Sequence, residues 1–447
     1  MSVIEVVARV MVGTGHPVER LFCHPRLPLI AGLDSERPAV RVWSFEDGGL
    51  TEVGVVGGES AVYGDPSNWD RYDRIPGVAW HPRQPLLVVA GEDGAVQWTP
   101  GGVTALEGLG SAARVAFAPD GRSLWASPSS EGEGDTEEAW ESSDVLDLVT
   151  GKVSRGPRWD TGVAEHPGGS LVATLASDQG ATHVLFARTD PDPDATPAAA
   201  HSSVPASASA LAPASALAMR VLRRALILDV DGYEAPVFSP DGRHFAIRGN
   251  AYANTLSVFA FPSLRRVLAT QLGEPRPAHP HPPEWMDQLE SWSHQNIAFG
   301  VRPGILWIGT PTGTLVELDI EAAHATEHAP LPHFPVTALA TTATGQLALA
   351  HGEGGLALLS VADDFALPQP DTARKHCDTA QAAVAAYVAG TSEVPAAEGN
   401  LESHLDLTDG AREWGPSDLE TVTAVSETDP SWLQIRAAMN TWQERDA

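Results

Sequence analysis

Residues Val237-Phe238-Ser239-Pro240-Asp241-Gly242 carry a short apolar stretch into a Pro-Asp-Gly turn. The same order occurs at Val115-Ala116-Phe117-Ala118-Pro119-Asp120-Gly121, and weaker copies follow one another at intervals of roughly 40 to 70 residues. Proline at the second position of a type I turn has its φ already set, and the Asp and Gly after it favour a chain reversal. A period of this size predicts an architecture built from one repeated unit.

Seven copies align on this turn, and the last two are degenerate. They lie at 21–25, 78–82, 115–121, 163–168, 237–242, 297–304 and 339–345. Apolar runs with small residues follow the turns, and a further strand-like segment follows in most copies, as at 40–43 in the first. Short apolar runs separated by Asp-Gly and Gly-Gly turns predict antiparallel strands and not helices.

The first copy shows a longer order of motifs. It contains Gly15-His16, Leu21-Phe22-Cys23-His24-Pro25, Ala31-Gly32-Leu33-Asp34 and Val40-Arg41-Val42-Trp43. This order resembles the WD40-type β-propeller family, whose repeats run from Gly-His through Ser-Pro-Asp-Gly to a closing Trp-Asp. The second copy keeps Trp80-His81-Pro82, whereas no Trp-Asp pair closes any copy. The resemblance covers residues 18–361 of the 447.

The resemblance implies an all-β fold, a WD40-like seven-bladed β-propeller over residues 1–361. The remaining residues, 362–447, fall outside the repeats and are predicted to form an acidic, partly helical C-terminal extension. The resemblance also implies a non-catalytic scaffold for protein–protein interaction. In that family the N-terminal strand completes the outer edge of the last blade, which hides an edge that would otherwise invite aggregation. Residues 4–12 are predicted to form this strand.

Composition narrows the class of protein. With 43% hydrophobic residues the chain can bury a large core, and one propeller with added segments accounts for its length. No run approaches the 18 apolar residues of a membrane span, and the N-terminus lacks a secretion signal. The two cysteines, Cys23 and Cys377, are far apart and are expected to be reduced thiols. These features predict a cytoplasmic protein with no membrane partner.

The net charge of −30 comes from 58 acidic and 28 basic side chains. Such a field repels a phosphate backbone, and no basic stripe offsets it, so nucleic acid is not an expected partner. The same acidity favours basic protein partners.

Four segments interrupt the period, at 52–73, 131–143, 191–218 and 273–295. The first holds Tyr63, Trp69 and Tyr72, which either pack on the sheets or form an exposed aromatic contact for a partner. The second is rich in Asp and Glu without a calcium-loop pattern, which favours a solvated hairpin tip over a calcium or peptide site. The third is rich in Pro, Ala and Ser and is expected to be flexible.

The fourth interruption, 273–295, contains Trp285 and Trp292 with three histidines, His279, His281 and His294. Imidazole is a common zinc ligand, but this spacing matches no zinc motif. A second group, His324, His328 and His333, has no evident further ligand. No metal or cofactor is predicted, and the tryptophans either pack the loop or contact a partner.

The C-terminal extension contains two predicted helices, at 372–390 and 431–444. The second has apolar residues near helical spacing, of which Trp432, Leu433, Ile435 and Trp442 are candidates for binding another protein. Alternatively, both helices dock on the propeller and the acidic segment between them, 401–420, is a tether.

Catalytic motifs are missing from the sequence. It has no Gly-x-Ser-x-Gly, no His-Glu-x-x-His and no phosphate-binding loop. The prediction is therefore a non-catalytic scaffold. The alternative is a hydrolase-like or lactonase-like propeller enzyme, or a small-ligand sensor, that uses a central channel.

Overall fold

The computed structural model describes residues 3–46, 48–64, 71, 74–129, 142–178, 180–190, 218–229, 232–250, 252–331, 334–362, 370–395 and 401–446. Strands dominate these residues and form seven sheets, each built on four antiparallel strands. The predicted all-β class is thereby confirmed, and each aligned turn joins the first two strands of one sheet.

The N-terminal strand β1 spans Val3–Met11, and the sheets follow it in chain order. Sheet 1 contains β2 (Val18–Cys23), β3 (Leu29–Asp34), β4 (Val40–Ser44) and β5 (Thr51–Val56). Sheet 2 contains β6 (Gly77–Trp80), β7 (Leu87–Gly91), β8 (Gly94–Thr99) and β9 (Gly102–Leu106). Sheet 3 contains β10 (Arg114–Phe117), β11 (Ser123–Ser127), β12 (Ser142–Asp147) and β13 (Val153–Pro157).

The remaining sheets include one that is larger than the others. Sheet 4 contains β14 (Ala164–Glu165), β15 (Leu171–Asp178), β16 (Ala181–Arg188), β17 (Arg220–Val221) and β18 (Arg224–Asp229). Sheet 5 contains β19 (Val237–Phe238), β20 (His244–Gly249), β21 (Thr255–Ala260) and β22 (Arg266–Gln271). Sheet 6 contains β23 (Ile297–Phe299), β24 (Ile305–Gly309), β25 (Leu315–Asp319) and β26 (His324–His328). Sheet 7 contains β27 (Val336–Thr341), β28 (Leu347–His351) and β29 (Gly355–Ala362), with β1 as its fourth strand.

Helices and two further strands complete the described chain. They are α1 (Pro283–Trp292), α2 (Pro370–Ala389), a 3₁₀ turn (Leu401–His404), β30 (Asp406–Thr408), β31 (Glu413–Trp414), α3 (Pro416–Thr421) and α4 (Ser431–Asp446). The two predicted C-terminal helices are confirmed as α2 and α4. None of the described helices is long and apolar enough to span a membrane.

The N-terminal strand forms the outer strand of the last sheet, as predicted. Strand β1 pairs antiparallel with β29, from Val3 opposite Ala362 to Met11 opposite Gly355. Its residues alternate between exposed and half-buried, as expected for an edge strand with one face on the core. The last sheet is therefore made from both ends of the repeat region.

Side-chain to backbone hydrogen bonds join neighbouring sheets. Trp80 Nε1 on sheet 2 donates to the carbonyl of Phe22 on sheet 1 (2.8 Å). Thr337 Oγ1 on sheet 7 donates to the carbonyl of Val18, also on sheet 1 (2.7 Å). Strand β2 thus lies against the first strands of both the second and the last sheet.

The first five aligned turns use one of two kinds of side chain to hold their backbone. In the Pro-Asp-Gly turns a carboxylate does so, as Asp120 Oδ1 accepts from the N–H groups of Arg122 (2.8 Å) and Ser123 (3.2 Å). In the His-Pro turns an imidazole takes its place. Nδ1 of His24 accepts from the N–H groups of Arg26 and Leu27, both at 3.0 Å.

The imidazoles also connect one turn with the next sheet's turn. Nε2 of His24 lies 2.9 Å from the carbonyl of Gln84, and Nε2 of His166 lies 3.0 Å from that of Gly242. Since Nδ1 is an acceptor in each ring, Nε2 carries the proton and donates. A Cβ at Gly242 would meet the His166 ring at 2.5 Å, and Gly242 has φ +67°. Glycine is therefore needed there for both reasons.

The C-terminal extension packs on sheet 4, which corrects one prediction. Residues 401–420 are not a tether. Strand β30 pairs parallel with β18 and antiparallel with β31, and Leu405 and Leu407 are buried in the core of sheet 4. The two leucines flank the single residue Asp406 in a run that is too short to give a periodic signal of burial.

Two predicted interruptions have different limits in the structure. Thr51–Val56 forms β5, so the first interruption begins after Val56 and not at Glu52. The fourth contains a helix, α1, between sheets 5 and 6. Of the acidic segment 131–143 only 142–143 is described, as the start of β12, and of 191–218 only residue 218 is described.

Candidate functional site

Helix α4 is anchored on sheet 4 by one of its faces. Trp432, Leu433 and Ala437 are buried there, and the Trp432 ring packs edge-on against Trp414 with centroids 5.0 Å apart. Trp432 and Leu433 thus pack within the chain, which corrects the prediction that they are exposed for a partner and fits the alternative in which the helix docks on the sheets.

Polar contacts hold the helix at its first residue and at Asn440, past its middle. Ser431 Oγ donates to Oδ1 of Asp229 on β18 at 2.7 Å. Asn440 Nδ2 donates to the carbonyls of Leu419 (2.9 Å) and Val422 (2.8 Å), at the end of α3. The helix is therefore held along its length in one orientation.

Helix α4 also carries three exposed apolar side chains, Ile435, Met439 and Trp442, which we call the exposed stripe. Their exposed fractions are 48%, 52% and 65%. They lie four and then three residues apart, which places them in one row along a helix. The predictions for Ile435 and Trp442 are compatible with this position, and Met439 belongs to the same row. The stripe is the candidate site for a partner.

Acidic side chains are exposed in the segment that precedes α4. Asp418 and Glu420 on α3, and Glu427 in the loop before α4, are exposed. Arg412 is held by two carboxylates, with Nη1 at 2.6 Å from Asp429 Oδ1 and Nε at 3.4 Å from Asp409 Oδ2. The segment before the helix therefore presents carboxylates to solvent.

The other predicted aromatic contacts lie elsewhere. Tyr63 is buried, with the guanidinium groups of Arg71 and Arg74 over its ring at 5.2 and 5.8 Å. The expectation that its ring is an exposed contact is therefore wrong, because the ring is enclosed by the chain's own arginines. Trp69 and Tyr72 lie outside the described residues.

The tryptophans of α1 also face their own chain. Trp285 is buried against His281, with ring centroids 4.8 Å apart, and Trp292 is half-buried against the core between sheets 5 and 6. Their proposed contact with a partner is not supported, since both rings pack against their own chain.

Burial raises the pKa of the Cys23 thiol to about 12, so this thiol is not a nucleophile at neutral pH.

The histidine groups do not gather into a metal site within the described part of the chain, where no cluster of three or more His, Cys, Asp or Glu side chains is placed to hold an ion. His279 contacts His281, and His281 contacts Trp285. His328 lies on β26, with Nε2 2.9 Å from Oε2 of Glu317. His333 lies outside the described residues.

A charged cluster that the sequence did not predict lies between sheets that are not neighbours. Arg20 is on β2 in sheet 1, whereas Glu234 precedes β19 of sheet 5, yet Arg20 Nη2 and Glu234 Oε1 are 3.6 Å apart. Each residue is a single charge in its own repeat, so no local pattern marks it. Only the arrangement of the sheets brings the two together.

Comparison with protein-family models gives no match, and comparison with curated proteins gives none either. The molecule is accordingly defined by its own architecture, an all-β chain of seven sheets with a C-terminal extension packed on the fourth.

Proposed function

We propose that the chain is a non-catalytic WD40-like scaffold, a closed seven-bladed β-propeller that binds a protein partner through the exposed stripe of α4. Closure of the ring is supported by the contacts of β2 with both β6 and β27, and by the pairing of β1 with β29. The ion pair between Arg20 of sheet 1 and Glu234 of sheet 5 also fits a ring, because it joins blades on different sides of a common centre.

The observation that carries the proposal is the row of three exposed apolar side chains on a helix whose other large apolar residues, Trp432 and Leu433, are buried against the chain. Exposed apolar side chains are common singly, but three in one row on an anchored helix are a feature of interaction surfaces. Because Trp432 and Leu433 already fix the helix, little ordering entropy remains to be lost when a partner binds.

The exposed carboxylates before α4 indicate which kind of partner fits the stripe. We infer a protein segment with an apolar face flanked by Lys or Arg side chains. Its apolar face would cover Ile435, Met439 and Trp442, and its basic flanks would meet the carboxylates of Asp418, Glu420 and Glu427. The net charge of −30 favours such a partner over an acidic one at longer range.

The test compares tagged full-length chains recovered from their own cells. One variant carries Ile435→Ala, Met439→Ala and Trp442→Ala, and a matched control carries Tyr252→Ala, which removes an exposed aromatic ring far from α4 in sequence. Both variants should keep the wild-type stability within about 0.5 kcal/mol, because the side chains are exposed.

We expect one basic protein to be recovered with the wild type and with the control, and to be depleted by about tenfold or more from the stripe variant. The same protein should be released as salt rises, since charge contributes to its binding. Equal recovery by all three chains would show that the stripe is not the interface.

A further inference from the structure

The charged cluster at Arg20 and Glu234 contains more arginines than carboxylates, which is unusual in so acidic a chain. Arg114 on β10 in sheet 3 and Arg248 on β20 in sheet 5 both interact electrostatically with Glu234. Three arginines from three sheets thus surround one glutamate. The chain as a whole has 58 acidic and only 28 basic side chains, yet these three arginines share one glutamate.

A neighbouring ion pair leaves this surplus unchanged. Arg71 Nη2 lies 2.5 Å from Glu19 Oε2, and Glu19 also interacts with Arg20. Asp160 lies near Arg114 but is held by Arg158, with Nε 3.1 Å from Oδ1. Among the described residues, four arginines therefore meet two glutamates, and two positive charges are not compensated by a carboxylate.

The hydrogen bonds of Arg114 and Arg248 also leave their charge without an anion. Arg114 donates only to carbonyls, from Nε to Asp160 (3.2 Å) and from Nη1 to Ala113 (2.8 Å). Arg248 is 1% exposed and donates from Nη2 to the carbonyl of Trp292 (2.6 Å) and to Asn254 Oδ1 (3.2 Å). Its Nε and Nη1 have no partner in the described part of the chain.

These groups stay charged although they are withdrawn from water. Burial lowers the pKa of Arg114 and lowers that of Arg248 to about 10, which is still well above neutral pH. A buried cation without a counter-charge is unfavourable, and so is a buried N–H without an acceptor. An anion bound among the arginines would relieve both conditions.

The cluster is open to solvent on one side. The side chains of Arg20 and Glu234 are 29% and 24% exposed, and Arg114 is half-buried. The 3.6 Å separation of Arg20 and Glu234 exceeds hydrogen-bond length, so the Arg20 guanidinium keeps donors free for another acceptor.

We propose that Arg20, Arg114 and Arg248 form a binding site for a small polyvalent oxyanion that carries phosphate or carboxylate groups. Guanidinium groups from separate sheets offer paired N–H donors that match the oxygens of either group. Two negative charges would balance the surplus, which favours a divalent or more highly charged anion over chloride.

The experiment measures binding to the full-length chain by calorimetry and by thermal unfolding, with pyrophosphate and citrate as probes and sodium chloride at matched ionic strength as the reference. We expect either probe to bind and to raise the midpoint of unfolding above that in chloride. Tighter binding of pyrophosphate would assign the phosphate class, and tighter binding of citrate the carboxylate class.

Variants separate the site from general effects of charge. Arg20→Ala and Arg114→Ala should weaken binding by about tenfold or more, because each removes a charged hydrogen-bond donor. Glu234→Gln should tighten it, because the amide no longer competes with the anion. Arg155→Ala, which removes one exposed positive charge on β13, should leave binding unchanged.

The proposal would be overturned if neither probe bound better than chloride, or if Arg155→Ala weakened binding as much as Arg114→Ala. Weaker binding by Glu234→Gln would also contradict it. If Arg114→Ala failed to fold, Arg114→Lys would serve in its place, because it keeps the charge but removes the guanidinium fork.

Discussion

Acid should destabilise this protein through the imidazoles of its His-Pro turns, and His166 allows the effect to be calculated. Its ring is fully buried, and burial lowers its pKa to about 4. In the folded chain Nδ1 accepts from the N–H of Gly168 at 3.0 Å, and Nε2 donates to the carbonyl of Gly242. Protonation of Nδ1 removes this acceptor, so the fold requires the neutral ring.

The magnitude follows from the two pKa values. In the unfolded chain the ring titrates near its ordinary value of 6.5, whereas the folded value is about 4. The unfolded state therefore binds more protons between these values, and stability is lost as the pH falls from 6.5 towards 4. The full difference is about 3 kcal/mol, of which about 2 kcal/mol is lost between pH 7.5 and pH 5.

The assay is urea unfolding, followed by tryptophan fluorescence, at pH values from about 7.5 to 5. His166→Asn retains an acceptor for the turn, much as Asp120 provides one in its own turn, but does not titrate. The variant should be less stable at neutral pH, and its stability should fall by about 2 kcal/mol less than that of the wild type over this pH range.

His324→Asn, at an exposed position on β26, is the control and should keep the wild-type pH dependence. Burial also lowers the pKa of His24 and His81, which should steepen the acid response of both chains equally. Identical pH dependence in His166→Asn and the wild type would refute the role assigned to the turn imidazoles.

Two further predictions concern the ends of the chain. Trp432→Ala should destabilise the docking of α4 by about 3–5 kcal/mol and expose the C-terminal segment to protease, whereas Trp442→Ala should change stability by less than about 0.5 kcal/mol. If the two variants behaved alike in urea unfolding and proteolysis, the assignment of Trp432 as buried and Trp442 as exposed would be contradicted. Deletion of residues 1–12 removes β1 and leaves the edge of β29 unpaired, so light scattering should show more association than for the full chain. A deletion variant that behaves like the full chain would show that β1 does not protect this edge.

The strand arrangement could be predicted because it depends on local chemistry. Proline, Asp and Gly set the backbone of each turn wherever they occur together, and the two C-terminal helices have their own starts and helix-forming residues. The edge role of β1 was available from the family resemblance. These features need no knowledge of which sheets are neighbours.

The functional surface could be predicted only in part. A helical period predicts that α4 buries some of its apolar residues, but it does not tell which ones. Trp432 and Leu433 are buried whereas Ile435 and Trp442 are exposed, although all four belong to one predicted helix. The burial of Leu407 depends on the pairing of β30 with β18, which is a long-range contact.

The arginine cluster and the imidazole contacts could not be predicted at all. Arg20, Arg114 and Arg248 are far apart in sequence, and each is unremarkable in its own strand. The local sequence around His166 predicts only a turn, whereas its contact with Gly242 links one sheet with the next. Both features arise from the packing of one sheet against another, which a local sequence pattern does not predict.

The central claim, that the exposed stripe of α4 is the interface for a basic protein, is tested most directly by site-specific photo-crosslinking in the protein's own cells. A photoreactive phenylalanine analogue replaces Trp442 in one chain and Tyr252 in another, since both side chains are exposed. We predict that one basic protein crosslinks from position 442 and not from position 252. Crosslinks to the same proteins from both positions, or none from position 442, would contradict the claim.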